Sequence, residues 1–180
     1  SSFSRTGLQV TNTFLDKLKE VFNFEPPRAD GFNTVEAIEA MHEGKASVFF
    51  AMGGNFLSAT PDTEYTAEAL QNCRLTVQVS TKLNRSHLVH GETALILPCL
   101  GRTEIDRQAG TKQFVSVENS MGVVHQSRGN LKPASPFLMS EPQIVAKLAT
   151  ATLGKKTNLK WNHLIDNYDY IRDLIEAVIP

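Results

Sequence analysis

The run Val48-Phe-Phe-Ala-Met52 is apolar throughout, and Gly53-Gly54-Asn55 follows it directly. A short continuous apolar run rich in Val and Phe is typical of a strand buried in the interior of a parallel sheet. A helical pattern then begins at Pro61-Asp62. This order predicts exposed backbone N–H groups and a helix N-terminus at the carboxyl end of a buried strand, a place that suits the phosphates of a nucleotide-like cofactor.

Two further strands are predicted downstream of this run. Residues 74–80 alternate between polar and apolar side chains, and residues 93–97 are mostly apolar and stop at Pro98. A helix over residues 62–72 separates the first two strands. Strand, helix, strand, crossover and strand is the pattern of a right-handed α/β unit. We therefore predict an α/β fold with an open, mostly parallel sheet flanked by helices in a Rossmann-like three-layer arrangement.

Helices are predicted on either side of this unit. Thr11-Asn12 and Asn33 are suitable N-caps for two helices before it, and Ser140 is suitable for a third that Gly154 closes. A last helix is predicted over residues 166–177.

A loop and hairpin excursion is predicted over residues 101–138. Residues 101–110 are polar and indicate a solvated loop that includes Glu104 and Asp106. Residues 113–118 alternate as a strand that residues 122–124 pair with. We interpret residues 1–180 as a single α/β domain.

The bulk properties of the chain exclude several classes of function. Its 180 residues carry a net charge of −1, so no general field attracts nucleic acid or an anionic membrane. No apolar run approaches the length of a membrane span, and the N-terminus lacks a signal-peptide core. Cys73 and Cys99 form no disulfide framework, which favours a reducing, cytoplasmic setting. The chain has no initiator Met and stops abruptly, so we expect a piece of a longer polypeptide.

A second polar segment, residues 80–87, follows the second strand. It should share a sheet edge with Gly53 if the strands are parallel, which is where open α/β sheets bind ligands. Its hydroxyl, amide, cationic and imidazole groups suit phosphates, a ribose or a purine edge. The candidate cofactor-binding residues are Gly53, Gly54, Asn55, Ser80, Thr81, Lys82, Asn84, Arg85 and His87.

Other interpretations of these segments stay open. Gly-Gly-Asn also suits a tight turn without a ligand, and it is neither the dinucleotide fingerprint nor a Walker loop. His87 and His90 lack a third ligand at a spacing that zinc requires, so no metal site is predicted. Cys99 with His125 as base would be a hydrolase pair, although a lone cysteine is more often a small apolar filler. Gln126 and Arg128 could reach an anionic cofactor or a neighbouring domain. No residue is predicted to be catalytic.

The sequence resembles the molybdopterin oxidoreductase family, in particular its formate-dehydrogenase-like alpha-subunit branch. Three segments carry the resemblance in order: residues 52–55, residues 80–91 and residues 94–104. Later segments at residues 116–121, 125–129 and 131–135 extend it over roughly residues 46–154.

The resemblance implies a molybdenum enzyme in which this domain grips one of two molybdopterin guanine dinucleotides. Residues 53–55 would lie against the phosphates or nucleoside, and the residues after the second strand would lie near the ribose and guanine. Ala94 and Ser80 stand where many relatives carry an acidic residue, so hydroxyls or amides are expected to recognise the nucleoside. An iron–sulfur cluster would belong to a preceding region that this chain lacks.

The resemblance also implies partners: the remaining domains of the parent chain and a small-molecule substrate, with no nucleic acid and no membrane. The isolated piece should be inactive, because molybdenum chemistry belongs to the metal and its complete pocket. The alternative is a noncatalytic nucleotide-binding α/β module, or the middle domain of another cofactor enzyme, since one fold hosts many functions.

Overall fold

A computed structural model of the chain describes residues 11–179 and confirms the predicted α/β fold. Its centre is a parallel sheet of three strands, β1 (Val48–Met52), β2 (Leu75–Ser80) and β3 (Thr93–Pro98), in the order β1-β2-β3. Val48 pairs with Leu75 at the start of this sheet. Residues 1–10 and Pro180 lie outside the described residues.

Helices pack against both faces of the sheet. The helices are α1 (Asn12–Phe22), α2 (Thr34–His42), α3 (Phe56–Ala59), α4 (Thr63–Gln71), α5 (Glu141–Leu153), α6 (Trp161–Asp166) and α7 (Asp169–Val178). Phe49 packs with α2 and α4, whereas Met52 packs with Ile144 of α5. Because alternate residues of a strand point to opposite faces, these helices form two layers around the sheet.

The predicted helix starts are confirmed by side-chain caps. Thr11 accepts a hydrogen bond from the N–H of Phe14, and Asn33 forms a capping box with Glu36. Asp62 and Ser140 cap α4 and α5 in the same way. Each cap satisfies a backbone donor that the first helical turn leaves without a partner.

The prediction that β1 is an interior strand is wrong in this structure. The strand lies at one edge of the sheet, and Val48 and Phe50 are 59% and 38% exposed. The strand with neighbours on both sides is β2, and its residues 76–79 are all buried. Burial therefore depends on strand order, which the apolar run of β1 does not reveal.

Three element boundaries differ from the sequence prediction. The four-residue helix α3 was not predicted between Asn55 and α4. The last predicted helix, residues 166–177, begins later, as α7, because the chain leaves helical geometry at Asn167, where the N–H of Tyr168 donates to Gln113. The helix α6 before it was not predicted. The second strand of the hairpin begins at Val124 rather than residue 122.

Two small antiparallel pairs interrupt the α/β pattern, and the sequence predicted only the second of them. They are β4 (Arg107–Gln108) with β5 (Thr111–Lys112), and β6 (Val115–Glu118) with β7 (Val124–Ser127). The first strand of these pairs falls in the segment that was predicted to be loop. Single turns of 3-10 helix occur at Arg85–Leu88 and Gly154–Lys156. Among the described residues, no helix has the length and apolar character needed to cross a membrane.

Candidate functional site

The loops that leave β1 and β2 lie against each other. The N–H of Gly53 donates to the carbonyl oxygen of Val79 at 2.8 Å. The side-chain amide of Asn84 donates to the carbonyl oxygen of Gly54 at 2.8 Å, and the Ser86 hydroxyl donates to Asn55 Oδ1 at 2.7 Å. The expected convergence of these loops at one sheet edge is therefore confirmed.

Two consecutive glycines make the first loop possible. Gly53 and Gly54 have φ values of 72° and 73°, in the left-handed region that other residues enter only at a cost. A Cβ on Gly54 would meet no atom within 4 Å, so open space lies beside its backbone. A ligand can approach the main chain there more closely than at any residue with a side chain.

The carboxyl ends of β1 and β2, with the loops that follow them, form one wall of a cleft of about 1130 Å³. The far wall comes from residues 99–104, 106, 113–115, 127, 129, 134, 135, 138 and 140–142. Six of the nine predicted cofactor-binding residues line it: Gly53, Gly54, Ser80, Thr81, Lys82 and Asn84. The sequence therefore indicated the sheet-side wall but not the wall that faces it.

The other three predicted residues do not line this cleft. Asn55 accepts the Ser86 hydroxyl, and Arg85 opens the 3-10 turn beside it. His87 is buried, and its Nδ1 accepts a hydrogen bond from the N–H of Asn84 at 3.0 Å. Asn55 and His87 thus hold the loops in shape, while His87 Nε2 has no hydrogen-bond partner among the described residues.

Contrary to prediction, the N-termini of the helices that follow β1 do not reach the cleft, because Phe56 of α3 and Thr63 of α4 are not among the described residues that line it. The Ser86 hydroxyl accepts the hydrogen bond of the Leu57 N–H in α3, and Asp62 accepts that of Tyr65 in α4. Within residues 11–179, the N–H groups of Gly54, Thr81 and Lys82 have no acceptor. At the ends of β1 and β2, these loop amides are therefore the available anion donors.

Glu104 is partly buried and structural, not solvated as the polar loop suggested. One carboxylate oxygen accepts the N–H of Gly101 at 2.7 Å, and the other accepts that of Ala134 at 2.6 Å. Gly129 lies so close that a Cβ there would sit 1.8 Å from the carbonyl oxygen of Glu104. These contacts join three separate chain segments into the far wall, and nothing local in the sequence signals them.

Asp106 anchors the base of the same wall. It accepts a 2.5 Å hydrogen bond from the hydroxyl of buried Tyr168, which in turn lies 2.7 Å from the Ser140 hydroxyl. Burial and the Asp106 carboxylate raise the pKa of Tyr168 above its ordinary value. The tyrosine therefore stays protonated and links the junction of α6 and α7 to the N-cap of α5.

Glu141 supplies the one carboxylate of the cleft that has no hydrogen-bond donor within the described range. Its Oε1 lies 3.8 Å from the position that a Cβ on Gly53 would take. The sequence analysis did not single out this residue, which is the first residue of α5 after the Ser140 cap. A carboxylate here can accept hydrogen bonds from a nucleobase.

The hydrolase pair and the histidine metal site gain no support from the geometry. Cys99 is buried with Val79 and Ile144, and burial raises the pKa of its thiol, which disfavours the thiolate. The His125 ring pairs instead with Asn119. Residues 11–179 contain no group of three or more potential ligands that could hold a metal ion.

The fold and the cleft together define an α/β domain with a ligand-sized site at the carboxyl edge of its sheet. No protein-family model matches the chain. It is 59% identical over 172 residues to a Mycobacterium tuberculosis protein named an uncharacterized oxidoreductase, covering 96% of this chain. It is 46% identical over 167 residues to the protein YdeP of Escherichia coli K12, covering 93%. The chain spans 22% of the length of each of these relatives.

Proposed function

We propose that this chain is the cofactor-binding domain of a molybdenum-dependent, formate-dehydrogenase-like oxidoreductase, and that its cleft grips molybdopterin guanine dinucleotide. The name of the mycobacterial relative supports oxidoreductase activity for the longer polypeptide. The observation that carries the proposal is the glycine loop after β1, together with loop amides that have no acceptor among residues 11–179. The remaining domains of that polypeptide would complete the pocket, with an iron–sulfur cluster in a preceding region and a small-molecule substrate.

The residues of the cleft fit a dinucleotide. The N–H groups of Gly54, Thr81 and Lys82 can donate to a diphosphate, and the Lys82 ammonium adds a positive charge. Open space beside Gly54 lets the diphosphate reach the backbone. The cofactor, when bound, supplies the two-electron chemistry, so this domain contributes binding and orientation.

Glu141 is the residue we assign to the nucleobase. Its carboxylate is an acceptor of hydrogen bonds only, and guanine presents adjacent N–H donors. The same negative charge disfavours a phosphate beside it, so the diphosphate would lie nearer Lys82. This assignment revises the expectation that hydroxyls or amides alone select the nucleoside.

The test is the cofactor content of the longer polypeptide after purification. We expect molybdenum and acid-released guanine nucleotide together. Guanine nucleotide without molybdenum would favour the noncatalytic nucleotide-binding module, and the absence of both would reject the proposal. Glu141→Gln should lower the guanine nucleotide content, whereas Glu176→Gln on the exposed side of α7 should leave it unchanged.

A further inference from the structure

The outer edge of β1 presents backbone donors to open space. The Gly53 N–H donates inward to Val79 of β2. Because donors of a parallel strand alternate between its two sides, the N–H groups of Phe49 and Ala51 also point inward. Those of Val48, Phe50 and Met52 therefore point outward, where no further strand is present among residues 11–179.

The opposite edge of the sheet, along β3, includes a residue that cannot donate a backbone hydrogen bond. The N–H groups of Thr93 and Cys99 donate to β2, so the outward positions of β3 are Ala94, Ile96 and Pro98. Proline has no N–H, and within sheets it is confined largely to edge strands. The edge of β3 is thus suited to solvent, whereas β1 carries neither a proline nor a charge that would block pairing.

A groove runs beside the open edge of β1. Its volume is about 310 Å³, and its apolar lining includes Phe32, Met41, Val48, Phe50 and Phe56. Phe32 is 66% exposed. A strand added to a sheet edge gains affinity from main-chain hydrogen bonds and specificity from pockets that take alternate side chains. The edge and the groove together provide both features.

We propose that β1 is an interior strand of the complete protein, and that its open edge pairs with an apolar β-strand from polypeptide outside these 180 residues. The relatives supply the reason for that occupant, because this chain spans only 22% of their length. The inference rests on the proposed function only in treating the chain as part of a longer polypeptide. It places Gly53 and Gly54 between two strand ends, where open α/β sheets bind ligands.

Hydrogen exchange of the longer polypeptide tests the pairing. The outward amides of Val48, Phe50 and Met52 should exchange at least about 100-fold more slowly than those of Ala94 and Ile96 on the other edge. The inward amides on each strand are the internal control and should be protected alike. Equal, rapid exchange at both outer edges would overturn the inference.

Photo-crosslinking identifies the occupant. A benzophenone amino acid in place of Phe32 should cross-link to a segment of the same molecule outside residues 1–180, and one in place of exposed Phe137 should not reach that segment. Cross-links only within residues 1–180, or to a second copy, would overturn the assignment. Molybdenum and guanine nucleotide contents are measured separately from the cross-links. A polypeptide without either would therefore reject the proposed function without changing the result for β1.

Discussion

The side-chain amide of Asn84 donates a 2.8 Å hydrogen bond to the carbonyl oxygen of Gly54, 30 residues earlier in the chain. The Oδ1 atom of the same asparagine accepts the N–H of Ser86 at 2.9 Å. One side chain therefore fixes its own turn and ties it to the glycine loop.

Replacing this asparagine should loosen the sheet-side wall of the cleft. Asn84→Ala removes the bond to Gly54 and the cap of the 3-10 turn, which should cost about 1–2 kcal/mol of stability. We expect a lower melting temperature and a several-fold loss of bound guanine nucleotide from the longer polypeptide. Asn72→Ala, which loses a 2.9 Å bond to His42, is the control and should keep its cofactor. Full cofactor content in both variants would contradict the role of Asn84.

Substitution of Gly54 distinguishes an effect of backbone strain from an effect on ligand access. Gly54→Ala and Gly44→Ala both place a Cβ at φ near +72°, and neither Cβ meets an atom within 4 Å. Each should cost about 1–2 kcal/mol through left-handed strain. Only the Cβ on Gly54 enters the cleft, so only that variant should lose cofactor. Equal cofactor content in the two purified variants would show that Gly54 does not contribute to the binding site.

Gly129 is the position where the far wall tolerates no side chain. Gly129→Ala places a Cβ 1.8 Å and 2.3 Å from the carbonyl oxygen and carbon of Glu104, which cannot move as a side-chain tip would. We expect a loss of about 3 kcal/mol or more, measured by thermal unfolding. Gly31→Ala, with nothing within 4 Å, should be nearly neutral. A melting temperature for Gly129→Ala equal to that of Gly31→Ala would show that the segments are not packed in this way.

Tyr168 makes stability depend on pH in the alkaline range. An unfolded tyrosine loses its proton near about pH 10, whereas Tyr168 keeps its proton to higher pH because burial and Asp106 raise its pKa. The folded state then binds more protons than the unfolded state, so stability is retained below about pH 10 and falls as the pH rises further.

Tyr168→Phe should show both effects of losing the hydroxyl. Stability at neutral pH should fall by about 1–3 kcal/mol, because Asp106 and Ser140 lose a buried partner. The decline above about pH 10 should become shallower, as measured by denaturant unfolding at several pH values. Tyr170→Phe, at an exposed ring stacked on His163, should change neither property. An unaltered alkaline slope in Tyr168→Phe would contradict this account.

Features governed by nearby residues were predictable from the sequence. The caps at Thr11, Asn33 and Ser140 act within three residues of themselves, so composition and spacing suffice to locate the helix starts. The existence of the three strands was predictable for a similar reason, since short apolar or alternating runs mark strands locally, although the patterns did not give the position of β1 and β2 in the sheet.

Features governed by distant residues were not predictable. The carboxylate of Glu104 is held by Ala134, 30 residues away, and Asp106 by Tyr168, 62 residues away. A loop that is held by such contacts has the same polar composition as a loop that is exposed to solvent. Composition therefore does not distinguish the two. The short helix α3 escaped prediction because its N-terminus is capped by Ser86 from another loop, not by its own sequence.

The outward N–H groups of β1, which have no acceptor within residues 11–179, also affect how these 180 residues behave when they are produced alone. Val-Phe-Phe-Ala-Met combines high β-propensity with no charge and no proline, which is the signature of an aggregation-prone segment. Without the strand that pairs with it, β1 can pair with a strand edge of another molecule. A lysine at position 48 would repel neighbours and keep the material monodisperse, at the expense of the assembly that the valine favours.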